Sequence, residues 1–547
     1  METSTYDYII VGAGSAGCVL ANRLTSNGRN SVLLIEAGED DRVLSSPKRF
    51  LLNSLIHVPI GFAATMFAPT VTWGYASQPE PHAGNRTFQV IRGKVLGGSS
   101  SINGMLHVRG LRSDYDGWRE AGCAGWGWGD VLPYFRKMET CLVGEDAWQG
   151  RDGPIRLSES TSYPVMDRVL DAAAALGLSR AATLNDGSQF GGGKALTAIW
   201  QGRRQSASVS YLHPILRRPN LHLLTGAQVT QITFSGRQAS GVTYQRGQQQ
   251  CQALASREVI LAAGAIGSPH LLQVSGVGDA ALLRELGVAV IANSPGIGAH
   301  LQDHYFARAA WRLRQGVASL NARTRAPAIL LEAAKYAFAR TGLLAGAASQ
   351  LFIYARSSAD VAEPDIQFSI APASTAASSG RGIRPDTAPG MTFAACQLRP
   401  ASRGFVRAQT GDARDNPSIC FNYLSAAIDQ QVHVRALRLA RQITARAELA
   451  AEIEAEITPG PSVTSDEALL DYVRATGGTV YHPVGTVRMG ADDSCPLDAS
   501  LRVRGVAGLR VIDASIMPTL TSGNTNAPTL MIAEKGADLV LQSAANG

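Results

Sequence analysis

The run of residues 6–38, YDYIIVGAGSAGCVLANRLTSNGRNSVLLIEAG, constrains the fold more than any other stretch of the chain. An apolar strand over residues 8–11 turns through Gly12, Ala13 and Gly14 into a helix starting near Ser15. That helix carries Ala16, Val19, Leu20 and Leu24 on one face and stops at Asn27 and Gly28. The three glycines act differently. Gly12 permits the tight turn, Gly14 lets a pyrophosphate approach the backbone, and Gly17 lets helix and strand pack closely. An anion at that point meets free N–H groups and the positive end of the helix dipole. A second strand over residues 31–35 delivers Glu36, 19 residues after Gly17. A carboxylate there accepts hydrogen bonds from both hydroxyls of an adenosine ribose and repels the 2′-phosphate of NADP. Strand, helix, strand and acid in register predict a dinucleotide site, the alternative being a glycine-tight βαβ unit without ligand.

At 547 residues the chain exceeds one ordinary domain. Its basic excess is mild, +6, and scattered, with adjacent arginines only at 203–204 and 217–218, so no nucleic-acid partner is expected. Seven cysteines without a CxxC spacing predict reduced thiols in a cytoplasm-like compartment and no metal site. The uncharged run 8–22 follows Asp7 and no Lys or Arg, which suits a dinucleotide strand better than a signal peptide. Residues 259–278 are long enough to span a bilayer but contain Pro269, His270 and several glycines. They read as a buried strand, turn and helix start, and no spanning helix is predicted.

Further along, the uncharged segment 57–76, with Pro59, Pro69 and Trp73, reads as a cover over the first domain. RGKVLGGSSSINGMLHVRG, residues 92–110, is rich in glycine and serine, a composition suited to backbone lying against a flat or phosphorylated ligand. Trp118, Trp126 and Trp128 read as core. Helices are expected over 166–176 and 207–216, a glycine-rich loop over 187–193, two strands within 221–244 and a third over 258–263. Ala-, Leu- and Arg-rich helices over 325–340 and 427–449 alternate with strand-like pieces at 365–370, 392–398 and 404–408. The expected fold is α/β (α+β overall): a Rossmann-like domain from residues 1–156, 221–305 and 474–547, with an inserted domain from 157–220 and 306–473 built on an antiparallel sheet flanked by helices. Near the C-terminus a short strand over 509–512 ends in Asp513, which can bond ligand hydroxyls or cap a turn. In SGNTNAPT, Asn526 is the expected N-cap of a long helix with Pro528 in its first turn, its positive end aimed at whatever Asn524 faces.

Four separated motifs now coincide: the N-terminal fingerprint, RGKVLGGSSSING, GAIGSPHLLQVSGVG from Gly264, and YHPVGT followed by LRVIDASIMP and SGNTNAPT. Together they resemble the glucose-methanol-choline oxidoreductases, FAD-dependent enzymes that oxidise alcohols, over nearly the whole chain. The resemblance implies FAD contacts at Gly12, Gly14, Ser15, Ala16, Gly17, Glu36 and Ala37. It adds Trp73 and Gly98, Asn103, Gly104, Met105 and Leu106 in the serine-glycine motif, then Val229, Ala263 and Gly264, and near the end Asp513, Ala514, Asn524, Pro528 and Thr529. Some members tether FAD through a histidine where this chain has Ile102, so a non-covalent flavin is expected. Val487 and His300 stand where members often have cysteine and asparagine.

The resemblance also implies a catalytic pair, His482 and Asn524. A neutral imidazole suits removal of a hydroxyl proton near neutral pH, and an amide can hold the alcohol oxygen. The expected reaction is oxidation of an aliphatic or aromatic primary alcohol, with the pocket lined by residues 57–72 and 325–355. Resemblance to choline-dehydrogenase-like bacterial members favours a quinone acceptor over oxygen. Hydroxynitrile lyase activity, also found in the family, is the rival of another class, and an NAD-dependent dehydrogenase would leave the C-terminal motifs unexplained. The last helix and residues 325–346 are candidates for a peripheral contact with the inner membrane or for a homodimer interface.

Overall fold

The computed structural model describes residues 4–375 and 385–546. The chain begins with β1 (Ser4–Val11), α1 (Ser15–Leu24), β2 (Val32–Ile35), α2 (Phe50–His57) and α3 (Pro164–Ala174). It continues through β3 (Gly191–Lys194), β4 (Leu221–Leu224), β5 (Ala227–Ser235), β6 (Gln238–Arg246), β7 (Gln249–Leu261) and α4 (Gly264–Val274). Next come β8 (Tyr305–Leu313), α5 (Ala328–Ala339), β9 (Leu351–Ala355), β10 (Ile366–Ala371), β11 (Gly390–Gln397) and α6 (Ala427–Thr444). β12 (Ile453–Thr458), β13 (Gly478–Thr479), β14 (Leu509–Val511) and α7 (Asn526–Asn546) complete the set that frames the site.

The first sheet runs β4-β2-β1-β7-β6-β5, with β14 also on β7. Its fingerprint strand is central: β1 pairs in parallel with β2 on one side and β7 on the other. A parallel strand covered on both faces has no wet side, which is why Ile9, Ile10, Leu33, Leu34 and Ile260 form an unbroken apolar run with no exposed surface. β7 serves two partners in turn, antiparallel to β6 over its first half and parallel to β14 at Val259, Ile260 and Leu261. Helix α7 packs against α1, where the carboxylate of Glu534, with no exposed surface, binds Arg23 (2.6 Å), Lys137 (3.3 Å) and the Tyr211 hydroxyl (2.8 Å).

The second sheet, order β12-β8-β11-β10-β9-β3 with β13 on β8, pairs antiparallel throughout. Alternation divides its faces. Tyr305, Ala307, Ala309 and Trp311 of β8 pack with Phe368 and Phe393 onto α3 and α6. Phe306 and Arg308 of β8, Gln367 and Ser369 of β10 and Ala394 and Cys396 of β11 face a cavity on the other side.

Several elements differ from the sequence expectation. The expected loop at 187–193 ends in a true strand, β3, whose glycines are required by packing: a Cβ on Gly192 would stand 2.7 Å from Leu170. With no side chains to alternate, such a strand shows no period. Residues 221–244 hold parts of three strands because Gly226, at φ +61°, breaks the run between β4 and β5. β7 starts nine residues before the expected Glu258, since its polar first half lies outside the core. The expected helix over 207–216 is a π-type turn, Ser208–Leu212, and a 3₁₀ turn around Pro214. The strand near 404–408 pairs with Ser418–Cys420 in a separate small sheet. Asn526 is the first residue of α7 rather than its cap, and its side chain accepts a hydrogen bond from Ser15 (2.8 Å) at the start of α1.

Candidate active site

One cavity of about 530 Å³ lies beyond the C-terminal ends of β1, β2 and β7 and is closed on its far side by the second sheet. That is where open α/β sheets bind ligands. Gly12, Gly14, Ser15, Ala16, Glu36, Ala37, Trp73, Gly98, Asn103, Gly104, Met105 and Leu106 line it, as do Val229, Ala263, Gly264, Asp513, Ala514, Asn524, Thr529 and His482. Gly17 and Pro528 do not. Gly17 is a packing residue, since a Cβ there would stand 1.9 Å from the carbonyl oxygen of Gly12. Pro528 is buried in the first turn of α7.

The cradle fits FAD on three observations. A Cβ on Gly14 would meet nothing nearer than 3.9 Å, so internal packing does not require this glycine, and any side chain would fill the cavity. The ends of two helices open there: Ser15 starts α1, and Thr525, Asn526 and Thr529 of the α7 terminus line the wall. Glu36, 5% exposed, accepts from the backbone N–H groups of Ala13 (2.8 Å) and Gly38 (2.8 Å), which leaves lone pairs for ribose hydroxyls. Burial raises its pKa to about 7. Asp513 is differently employed: its carboxylate accepts from Gly264 N, Ser268 Oγ, Ser515 N and Ser515 Oγ, so it ties α4 to the turn after β14. Arg204, 1% exposed, clamps the serine-glycine motif to α2 by donating to Ser100, Asn103 and Ile56.

At the boundary between the sheets, His482 Nε2 lies 3.1 Å from Asn524 Nδ2, and His482 Nδ1 lies 2.9 Å from Nδ1 of His304. His304 Nε2 is 3.0 Å from the carbonyl oxygen of Leu398, which can only accept, so this nitrogen carries the proton. Burial pushes the His304 pKa down to about 4, so the ring is neutral and its Nδ1 is an acceptor. His482 must then donate from Nδ1. Its Nε2 therefore carries the lone pair, which accepts from the amide N–H of Asn524. Burial, His304 and Arg92 hold the pKa of His482 well below the ordinary 6.5. The Oδ1 of Asn524 is buried and has no hydrogen-bond partner among the described residues.

The backbone of this corner is fixed from below. Asp303 accepts from His482 N (2.6 Å), from the Thr479 hydroxyl (2.6 Å) and from the Tyr423 hydroxyl. Tyr481, just before His482, has φ +65°, a conformation costly for a tyrosine, and its carbonyl accepts from Arg92 (2.5 Å). Sequence reasoning misses Asp303, His304, Arg92 and Arg308. The first two lie in GIGAHLQDH, where only His300 stands out, and no local spacing links them to a histidine 178 residues away. The expected substrate wall is partly corrected: Phe62, Met66, Ala348 and Phe352 line the cavity, α5 does not, and β8, β10 and β11 supply the rest.

Two family models, both described as GMC oxidoreductase, match residues 6–306 and 400–533. The chain therefore belongs to the GMC oxidoreductase family, and it is an FAD-binding enzyme acting on alcohol-type substrates. Mitochondrial choline dehydrogenase of Mus musculus is 38% identical over 540 residues, covering 98% of this chain and 89% of its own. An alcohol dehydrogenase [acceptor] of Pseudomonas putida is 38% identical over 545 residues, covering 98% and 96%. Among solved structures, pyridoxine 4-oxidase from Mesorbium loti is 31% identical, with a TM-score of 0.86 over 97% of this chain and 98% of that one.

Proposed function

We propose that the protein oxidises a primary alcohol to the aldehyde with His482 as the base and Asn524 as the group that holds the alcohol oxygen. The observation that carries this is the Nε2 of His482, made an acceptor through His304 by the carbonyl of Leu398 and held within hydrogen-bond distance of the Asn524 amide. The base takes the hydroxyl proton at Nε2, and the resulting imidazolium keeps its Nδ1–H donated to His304. The amide N–H that Asn524 directs at Nε2 turns to the alcohol oxygen and is donated to it as negative charge develops there. FAD, when bound, supplies the hydride acceptor. Asp303 and the strained Tyr481 hold the imidazole so that no reorientation is needed. The apolar wall formed by Phe62, Met66, Phe306 and Phe352 suits an aliphatic or aromatic alcohol better than a sugar and excludes water from the base.

The test is anaerobic flavin reduction by a panel of primary alcohols. His482→Ala should retain FAD and react roughly 100-fold or more slowly, the usual range for loss of a general base. Asn524→Ala should also be slowed with its fold intact. Flavin reduced at the wild-type rate by either variant removes that residue from the assignment, and release of hydrogen cyanide from a cyanohydrin would favour a lyase.

The electron acceptor we assign is a membrane quinone, reached by a surface formed by α2 and α5. Helix α2 is tied to Arg204 through the carbonyl of Ile56, and α5 to Gly202 through the Tyr336 hydroxyl, so both bracket one hairpin. They expose Phe50, Leu51, Leu330, Leu331 and Phe338, the last 92% exposed. Lys48, Arg203, Arg325 and Arg340 lie among them, and the single acid in residues 42–57 and 320–345, Glu332, is buried against Lys335. Apolar side chains ringed by cations fit an anionic bilayer surface. Among the described residues no helix is long and apolar enough to cross a membrane. Alcohol-reduced enzyme should be reoxidised faster by a soluble quinone analogue than by air. Reoxidation in air at the turnover rate, with stoichiometric hydrogen peroxide, makes it an oxidase instead.

A further inference from the structure

Beyond His482, the cavity wall mixes apolar side chains with the neutral polar Gln367, Ser369 and Thr479, and two guanidinium groups, Arg92 and Arg308, carry its cationic charge. The two acids that line the cavity belong to the other end: Glu36 at the fingerprint and Asp513 at the turn after β14, both occupied by the hydrogen bonds described above. No carboxylate among the described residues lines the substrate side. Arg92 is engaged, donating from Nε to Ile91 O (2.6 Å) and from Nη2 to Tyr481 O (2.5 Å). Arg308 is not. Strand alternation places it on the cavity side of β8, where it is solvent-exposed; its guanidinium rests over the ring of Phe306 (4.9 Å to the centroid), and among the described residues it has neither a hydrogen-bond acceptor nor a carboxylate partner.

We propose that Arg308 selects the substrate: the alcohol carries a carboxylate at the far end of an apolar chain or ring, and the free guanidinium of Arg308 receives it. The inference rests on the reading of His482 and Asn524 as the centre where the alcohol is oxidised. The planar fork of arginine matches a carboxylate with two parallel hydrogen bonds. β8 advances about 3.4 Å per residue, so Arg308 starts about 14 Å along the strand from His304. The carboxylate therefore lies several bonds from the carbinol carbon. The same charge works against a quaternary ammonium alcohol, which would face two guanidinium groups and no acid.

The test uses holoenzyme and a pair of alcohols that differ only in charge, 4-(hydroxymethyl)benzoate and benzyl alcohol, with choline as the cation. The wild type should favour the carboxylate over benzyl alcohol by at least about 10-fold in kcat/KM, the scale of a charge-assisted hydrogen bond. In Arg308→Leu that ratio should fall to near one, with most of the change in KM, and Arg308→Lys should recover part of it. The unreactive p-toluate should perturb the flavin absorbance of the wild type and not of Arg308→Leu. Equal kcat/KM for the two aryl alcohols in the wild type, or faster turnover of choline than of the carboxylate, overturns the proposal, as does p-toluate binding that is indifferent to residue 308. If p-toluate binding depends on Arg308 but no alcohol reduces the flavin, the oxidation reading fails while the anion site stands.

Discussion

Because the carbonyl of Leu398 can only accept, His304 presents a bare Nδ1 to His482, and the ring proposed as the base is oriented before any substrate arrives. This has a pH signature. The pKa of His482 lies well below 6.5, so flavin reduction by an alcohol should hold its rate from pH 8 down to 6.5 and decline only below that. An inflection above 6.5 in stopped-flow reduction would contradict the geometry. Stability carries a related signal of known sign. His304 and His270 have folded-state values of about 4, while in the unfolded chain they titrate near 6.5. The unfolded state therefore binds more protons between those values. The stability these rings contribute is complete above pH 6.5 and is lost as the pH falls toward 4. Glu36, raised to about 7, acts with the opposite sign over the same interval, so the test compares wild type with His270→Asn: the variant's thermal midpoint should fall less between pH 6.5 and 5, and equal falls would mean that the His270 ring is not buried neutral. His482 and Asn524 are legible because each sits in a distinctive local motif. Asp303 and His304 are not, because what makes them matter is a contact across the fold.

At the scale of elements, what can be read in advance follows periodicity. Strands β1 and β2 and helix α1 show it, and the fingerprint they form stands where expected. Strand β3 has glycine in three of four positions, and the 207–216 segment looks helical in composition yet winds as a π turn before Pro214. In both, packing overrules local pattern. The contact of α1 with α7 offers a direct test. Glu534→Ala leaves Arg23 and Lys137 without their carboxylate and Tyr211 without its acceptor. Removing one partner of a fully buried pair costs about 3–5 kcal/mol, and the partial exposure of Arg23 should reduce this to about 2–3. The variant should melt several degrees lower and retain less FAD, and an unchanged melting temperature would show that the two helices do not depend on this carboxylate.

For the molecule as a whole, the apolar and basic face of α2 and α5 makes a prediction about partitioning. The protein should sediment with vesicles containing anionic lipid and not with neutral ones, and added salt should release it. Phe338→Asp together with Leu330→Asp should abolish sedimentation without altering alcohol-driven flavin reduction. Binding unaffected by the pair would move the surface elsewhere. The cofactor itself should leave with acid or heat, since Ile102 offers no atom for a tether; yellow colour on the precipitated chain would refute this. One more consequence lies in the hydrogen bond between Ser15 and Asn526, which joins positions 511 apart in sequence. The fingerprint that reads so clearly in the sequence is only half of its own pocket, and the other half follows 511 residues later. During synthesis β1 has only β2 beside it until β7 is finished at Leu261, and α1 waits for α7, which starts at Asn526. The cradle for FAD is therefore complete only once α7 has met α1.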